Sequence, residues 1–144
     1  MLGRGDLGFL LAKATQRWNE LLAERFTAAG YGDIRPSYGS VLLPLFEEDG
    51  LRMGDLATRA QLSKQTMTEM VRRLERDGLV ERRADPDDGR ASLIFLTPRS
   101  RSFEPIAEGV LNDLDRLVRT RFGDERVDGL KAELGDLQRL VADE

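Results

Sequence analysis

The stretch LSKQTMTEMVRRLERDGLVERRADPDDGRASLIFLTP, Leu62 to Pro98, decides how the rest of the chain is read. In its first half Met67, Met70, Val71 and Leu74 stand at i, i+3, i+4 and i+7, the spacing of one apolar stripe on an α-helix. Gln65, Thr68, Glu69, Arg72 and Arg76 fall on the opposite face. Ser63 is placed to cap the start and Gly78 to follow the end, although Thr66 occupies the place where a capping box needs Glu or Gln. After Gly78, the runs Leu79–Ala84 and Ala91–Thr97 read as strands joined by Asp85-Pro86-Asp87-Asp88-Gly89-Arg90, a hairpin with a charged tip. A short helix carrying amide, hydroxyl and guanidinium groups, next to such a wing, is suited to a DNA groove.

Working outward, Leu7, Leu10, Leu11, Ala14, Trp18, Leu21, Leu22 and Phe26 keep helical spacing until Gly30 and Gly32 break it. Pro36 suits the first position of a second helix, with Tyr38, Val41, Leu42 and Leu45 inward, and Pro44 is expected to kink or shorten it before Asp49-Gly50. A short helix over 53–60, with Leu56, Ala57 and Ala60 inward, leads through Gln61-Leu62 into the helix that starts at Ser63. Two helices joined by a tight turn make a helix-turn-helix, in which the second enters the groove. Beyond the wing, Phe103, Ile106, Val110, Leu114, Leu117 and Val118 predict a fifth helix. Val127, Leu130, Leu134, Leu137, Leu140 and Val141 predict a sixth after Gly123-Asp124. The expected fold is mainly α with a small β-hairpin wing, a winged helix-turn-helix within a helical dimer.

The chain has 144 residues, 40% of them hydrophobic, which suits a single domain over 1–144. The terminal helices carry more apolar surface than a lone winged-helix core would cover, so 1–30 and 100–144 are expected to form a dimerisation region around a DNA-binding lobe at 31–99. No apolar run is long enough to span a membrane, and no basic start leads into a signal segment, so a cytoplasmic protein with no membrane partner is expected. There is no cysteine and no histidine. Disulfides, thiolate metal sites and most acid-base schemes are thereby removed, so neither a cofactor nor a metal is expected, and an enzyme is not.

The net charge of −4 is unevenly spread: −2 over residues 1–51, +3 over 52–101 and −5 over 102–144. The segment that holds the helix-turn-helix and the wing is the only positive one, as phosphate contact requires. Double-stranded DNA is therefore the expected partner. The candidate DNA-binding set is Ser63, Lys64, Gln65, Thr66, Thr68, Glu69, Arg72, Arg73 and Arg76, with Asp88 and Arg90 from the wing. Lys64, Arg73 and Arg76 suit phosphates, which set register without reading sequence. Arg90 suits a narrow minor groove, with Asp88 holding it in orientation. The plainer alternatives are a solvated helix face for the first group and, for Asp88 and Arg90, an exposed ion pair worth about 0–1 kcal/mol. Arg82 and Arg83 are open between DNA contact and pairing with Glu81 or Asp85. A calcium loop starting at Asp85 fails, because its twelfth position is Leu96 rather than glutamate.

The order Leu56-Ala57, Leu62-Ser63, Thr66, Leu74-Glu75, Gly78-Leu79-Val80-Glu81-Arg82, Asp85-Pro86, Asp88, Arg90 and Leu96-Thr97 resembles the multiple antibiotic resistance regulator (MarR) family of transcription factors. The resemblance implies a homodimer on a palindromic operator, and release by a small aromatic effector or an oxidant; since blocking polymerase needs binding alone, repression is expected ahead of activation. The family's oxidant sensors use cysteine, which is absent, and the glycine usual after Leu96-Thr97 is replaced by Pro98-Arg99-Ser100-Arg101. Trp18, Tyr38 and Phe46 are the aromatics nearest the family's ligand crevice and are read as core, without a ligand contact. The alternative is a winged-helix protein-interaction module that binds no specific DNA.

Overall fold

The computed structural model describes residues 3–143, which fall into two compact units divided between Ala107 and Glu108. In the first, α1 (Leu7–Ala28) is capped by Asp6, whose carboxylate accepts the Phe9 N–H. A 3-10 turn at Pro36–Tyr38 leads into α2 (Gly39–Glu47). There follow β1 (Leu51–Arg52), α3 (Met53–Ala60), α4 (Lys64–Arg76), β2 (Val80–Asp85), β3 (Asp88–Leu96) and α5 (Pro98–Phe122). The mainly helical winged helix-turn-helix expected from the sequence is present. Pro36 starts a 3-10 turn rather than the α-helix itself, and Pro44 lies inside α2.

The core of this unit collects one face from each element. Leu22 and Phe26 of α1, Val41, Leu42 and Leu45 of α2, Leu56 and Ala57 of α3, and Met67, Val71 and Leu74 of α4 are buried, together with Leu79, Val80, Ile94, Leu96 and Phe103. Ala60 is half-buried. Phe103 meets Phe26 edge to face, with centroids 4.9 Å apart, an arrangement aromatic pairs favour. Gln61 takes a left-handed conformation at φ 57° to end α3, and the Leu62 N–H then closes onto the Ala57 carbonyl. This makes the tight turn between the two helices of the motif. At the other end of α4 the left-handed residue is Gly78, φ +74°, which costs glycine nothing.

The sheet has three strands in the order β1-β3-β2, all antiparallel, where the sequence had indicated a two-stranded hairpin. Leu51 pairs with Ile94 and Arg52 with Leu93. The hairpin is also longer and its connection shorter than expected: Asp85 pairs with Asp88, so only Pro86 and Asp87 link the strands. Proline fixes φ near −65° and so excludes the positive-φ turns that usually close two-residue hairpins. A register irregularity between Ala84 and Asp85 takes up the difference in twist.

Side chains tie the wing to the lobe. Asp85, 7% exposed, accepts the Asp87 N–H at 2.9 Å and the Arg52 Nε–H at 2.8 Å, so it holds the turn and also β1, which lies on the far side of β3. Its pKa is lowered, first by the Asp87 N–H and, against the opposing effect of burial, by Arg52. Asp49 accepts the Leu96 N–H at 2.9 Å and pairs with Arg101, joining the end of β3 to the start of α5. Between these two anchors Gly50, φ +71°, lies against the Phe95 ring, where a Cβ would stand 2.8 Å from two ring carbons.

The second unit holds the end of α5 and α6 (Asp124–Ala142), joined through Gly123. Arg119 pairs with Asp115, Asp124 and Asp128, and Lys131 also reaches Asp115, whose pKa these bonds lower, Arg119 first. One guanidinium thereby fixes the turn and the first part of α6. Val127 is buried, while Leu130, Leu140 and Val141 are exposed. No helix among the described residues is long and apolar enough to cross a membrane.

Two outcomes follow for stability. Gly50→Ala forces a left-handed alanine into the Phe95 ring and should lower unfolding free energy by roughly 2–4 kcal/mol in urea titration, with part recovered by adding Phe95→Leu. Because the Asp85 carboxylate has a depressed folded pKa, its contribution is present at neutral pH. It is lost as pH falls below the ordinary carboxylate range of about 4. The stability gap between wild type and Asp85→Asn, measured by urea unfolding across pH, should therefore be widest near neutrality and shrink in acid.

Candidate nucleic-acid interface

Ser63 begins the candidate interface by capping α4: its Oγ accepts the Thr66 N–H at 3.1 Å and donates to Thr66 Oγ1 at 2.9 Å. The capping-box residue is absent, and the Thr66 hydroxyl meets the cap instead. Thr68 is half-buried, and its hydroxyl donates to the Lys64 carbonyl at 2.8 Å. These three hydroxyls have partners within the helix.

Burial of Met67, Val71 and Leu74 at 0% exposure fixes the rotation of α4 about its axis. Gln65, Glu69, Arg72, Arg73 and Arg76 are thereby turned to solvent. Met70, expected in the apolar stripe, is half-buried at its edge. At the far end, the Asp77 carboxylate accepts the Tyr38 hydroxyl at 2.6 Å, tying the end of α4 to the 3-10 turn before α2. Burial and then Asp77 push the Tyr38 phenol up from its ordinary value. Tyr38 is thus a core residue, as the sequence indicated, whereas Trp18 is 40% exposed and Phe46 half-buried.

The wing departs from one expectation in detail. Asp88 Oδ1 accepts the backbone N–H of Arg90 at 3.1 Å, so it shapes the strand rather than pairing with the Arg90 guanidinium. Arg90 itself is exposed on β3, three residues past the turn. Arg82 and Arg83, which the sequence left open, both find partners. Arg82 Nε donates to Glu75 of α4 at 2.8 Å, and Arg83 pairs with Glu81 while lying 4.3 Å from the centroid of the Phe95 ring.

Pairing sorts the cations of this region into two groups. Arg52, Arg59, Arg82, Arg83, Arg99 and Arg101 are each in an ion pair. Among the described residues, Lys64, Arg72, Arg73, Arg76 and Arg90 have no carboxylate partner, and all five are exposed. Within residues 52–101 the unpaired cations lie on one helix and on the adjoining wing; Arg35, just before the 3-10 turn, is a further exposed cation in no ion pair. Sequence reasoning missed the positioning residues Asp49, Arg52, Tyr38 and Asp77. Their partners lie 33 to 52 positions away, a separation at which periodicity carries no signal. Among the described residues no group of three acidic side chains is placed to hold a metal ion.

Known proteins align with this geometry. The sequence pattern of the MarR family matches residues 35–92, from the 3-10 turn through most of the wing. An HTH-type transcriptional regulator of Methylorubrum extorquens, TtmR, is 41% identical over 64 residues, 44% of this chain, and that match spans only 33% of TtmR. The HTH-type transcriptional repressor Rv2887 of Mycobacterium tuberculosis is 35% identical over 101 residues, covering 61% of this chain and 73% of its own length. Among solved structures, the transcriptional repressor CouR bound to a 23-mer DNA duplex superposes with a TM-score of 0.76 at 26% identity, covering 96% of this chain and 99% of CouR. These relatives are transcriptional regulators, not enzymes. The match to the family pattern across the helix-turn-helix and wing, with a repressor aligned over most of its length, places the chain in the MarR family of transcriptional regulators.

Proposed function

We propose that the protein is a sequence-specific DNA-binding repressor that works in the cytoplasm as a homodimer on a palindromic operator. The observation that carries this reading is the sorting of cations: within residues 52–101 the five without carboxylate partners all lie on α4 and the wing, and all are exposed. In this reading Gln65, Glu69 and Arg72 face base edges. Lys64, Arg73 and Arg76 meet phosphates, and Arg90 enters the flanking minor groove. Ser63, Thr66 and Thr68 belong to the same face, with their hydroxyls shaping the helix start, and Asp88 sets the strand that carries Arg90. The solved complex of CouR with a DNA duplex supports the assignment by likeness of fold.

The lobe at 31–99 would read DNA, and the helices at 1–30 and 100–144 would form the dimer. Exposed apolar side chains support this on α1, with Leu7, Leu10 and Trp18, and separately on α6, with Leu130, Leu134 and Leu140. Two copies of α4 would then enter successive major grooves about 34 Å apart. A small aromatic effector that prefers a different spacing of the two helices would release the operator, to the extent of that preference and no further. Occlusion of polymerase requires binding alone, which favours repression over activation.

Binding to duplexes from the region upstream of its own gene, against random duplex at two salt concentrations, tests the reading. Tight binding to the upstream duplex that weakens steeply with salt is expected. Equal weak binding to both duplexes would favour a winged-helix protein-interaction module instead. Arg90→Ala should weaken operator affinity by about 1–3 kcal/mol at fixed salt. Leu130→Glu should shift the sedimenting species from about twice 16.2 kDa toward the single-chain mass, and an unchanged dimer would remove α6 from the interface.

A further inference from the structure

The exposed stripe of α4, otherwise rich in cations, has an acid at its centre. With Met67, Val71 and Leu74 against the core, a helix of 3.6 residues per turn places Glu69 and Arg76 nearest to diametrically opposite them. Glu69 is the one in the N-terminal half, the part of such a helix that approaches base edges. Arg72 and Arg73 stand three and four residues further on, the spacing at which helical ion pairs form. Among the described residues Glu69 nevertheless has neither an ion pair nor a hydrogen bond, and it is exposed.

A carboxylate pushed between two rows of phosphates is repelled by both, and within a groove only a donor on a base edge offsets that repulsion. Guanine presents N7 and O6, both acceptors, and thymine presents O4, another acceptor. Adenine sets its N6 amino group beside the N7 acceptor. Cytosine offers the N4 amino group with no acceptor of its own on that edge. We propose that Glu69 is a specificity-determining residue: it selects a cytosine in each operator half-site by accepting a hydrogen bond from the N4 amino group, and its charge suppresses binding to unrelated duplex. This rests on the reading of α4 as the helix that enters the major groove.

The test selects binding sites from a pool of random duplexes with the whole 144-residue chain as wild type, Glu69→Ala and Glu69→Gln. Affinities for the selected and random duplexes are then measured at fixed salt. The wild type should enrich a two-fold symmetric motif with a cytosine position in each half, and replacing that cytosine should weaken it about 5- to 150-fold. Glu69→Ala should lose the preference at that position alone and bind random duplex several-fold more tightly. Glu69→Gln should move the preference to adenine, whose N6 and N7 match an amide. Since the side chain is exposed, both variants should melt with the wild type, and should one fail to fold the other still decides the matter. A wild type that enriches no sequence overturns the DNA reading and this inference with it. A wild-type motif kept unchanged by both variants overturns the inference alone.

Discussion

Burial of one stripe of α4 is the constraint from which the rest of the lobe takes its meaning. Met67, Val71 and Leu74 have no exposed surface, and removing any of them to alanine would leave a void costing on the order of 2–5 kcal/mol for the larger two. A helix held that firmly cannot roll about its axis. A rotation of one residue, about 100°, would bury Thr68 and Arg72 and expose the core stripe, which the hydrophobic penalty forbids. The outward face is thus determined by the inward one. The Ser63 cap and the Tyr38–Asp77 hydrogen bond fix the two ends, so neither axial slip nor fraying moves the exposed side chains.

The same logic explains how an acidic protein can present a basic surface. Charge counts along the chain locate an excess of +3 in residues 52–101, yet a count does not say which cations are available. The fold uses Arg52 to hold the wing turn, Arg82 to join β2 to α4, and Arg101 to reach Asp49. Each of these pairs is partly exposed, so each is worth little in isolation, and their value is geometric. They set the angle between helix and wing while leaving Lys64, Arg72, Arg73, Arg76 and Arg90 unengaged among the described residues. Structural and available cations share one stretch of the chain, and only their pairing tells them apart.

Much of this was legible in the sequence because helices announce themselves locally. The 3.6-residue repeat through Met67, Val71 and Leu74, the Ser63 cap and Gly78 after the helix are all short-range signals, and each element they imply is present. The two-residue β1 carries no period to detect. Its pairing with β3 depends on Gly50 allowing close approach to Phe95, and on Asp49 and Arg52, contacts 33 to 47 residues apart in the chain. The hairpin connection was overestimated because Asp, Pro and Gly mark turns by composition. Pro86 and Asp87 alone make this turn, while Asp88 and Gly89 belong to the strand. The Asp88 carboxylate was expected at the Arg90 guanidinium, but the nearby backbone N–H of Arg90 is the closer donor and needs no long side chain to be ordered.

That last preference bears on how the wing would work. A backbone hydrogen bond at Asp88, the Asp85 anchor and the Arg52 strut leave the main chain of the wing little freedom, whereas the Arg90 side chain keeps its own. Ordering such a side chain on contact costs about 0.5–1.5 kcal/mol, while ordering a loose hairpin of several residues would cost several times that. In the proposed DNA complex, a preformed strand presenting a free guanidinium would therefore retain most of the electrostatic gain from a narrow groove, and it would still let the guanidinium adjust to local groove width. The sequence places the carboxylates that do this within four positions, Asp85 to Asp88. One is buried to hold the turn and the other is exposed to hold the strand, so what looks like a charged tip is largely the scaffold for a single cation.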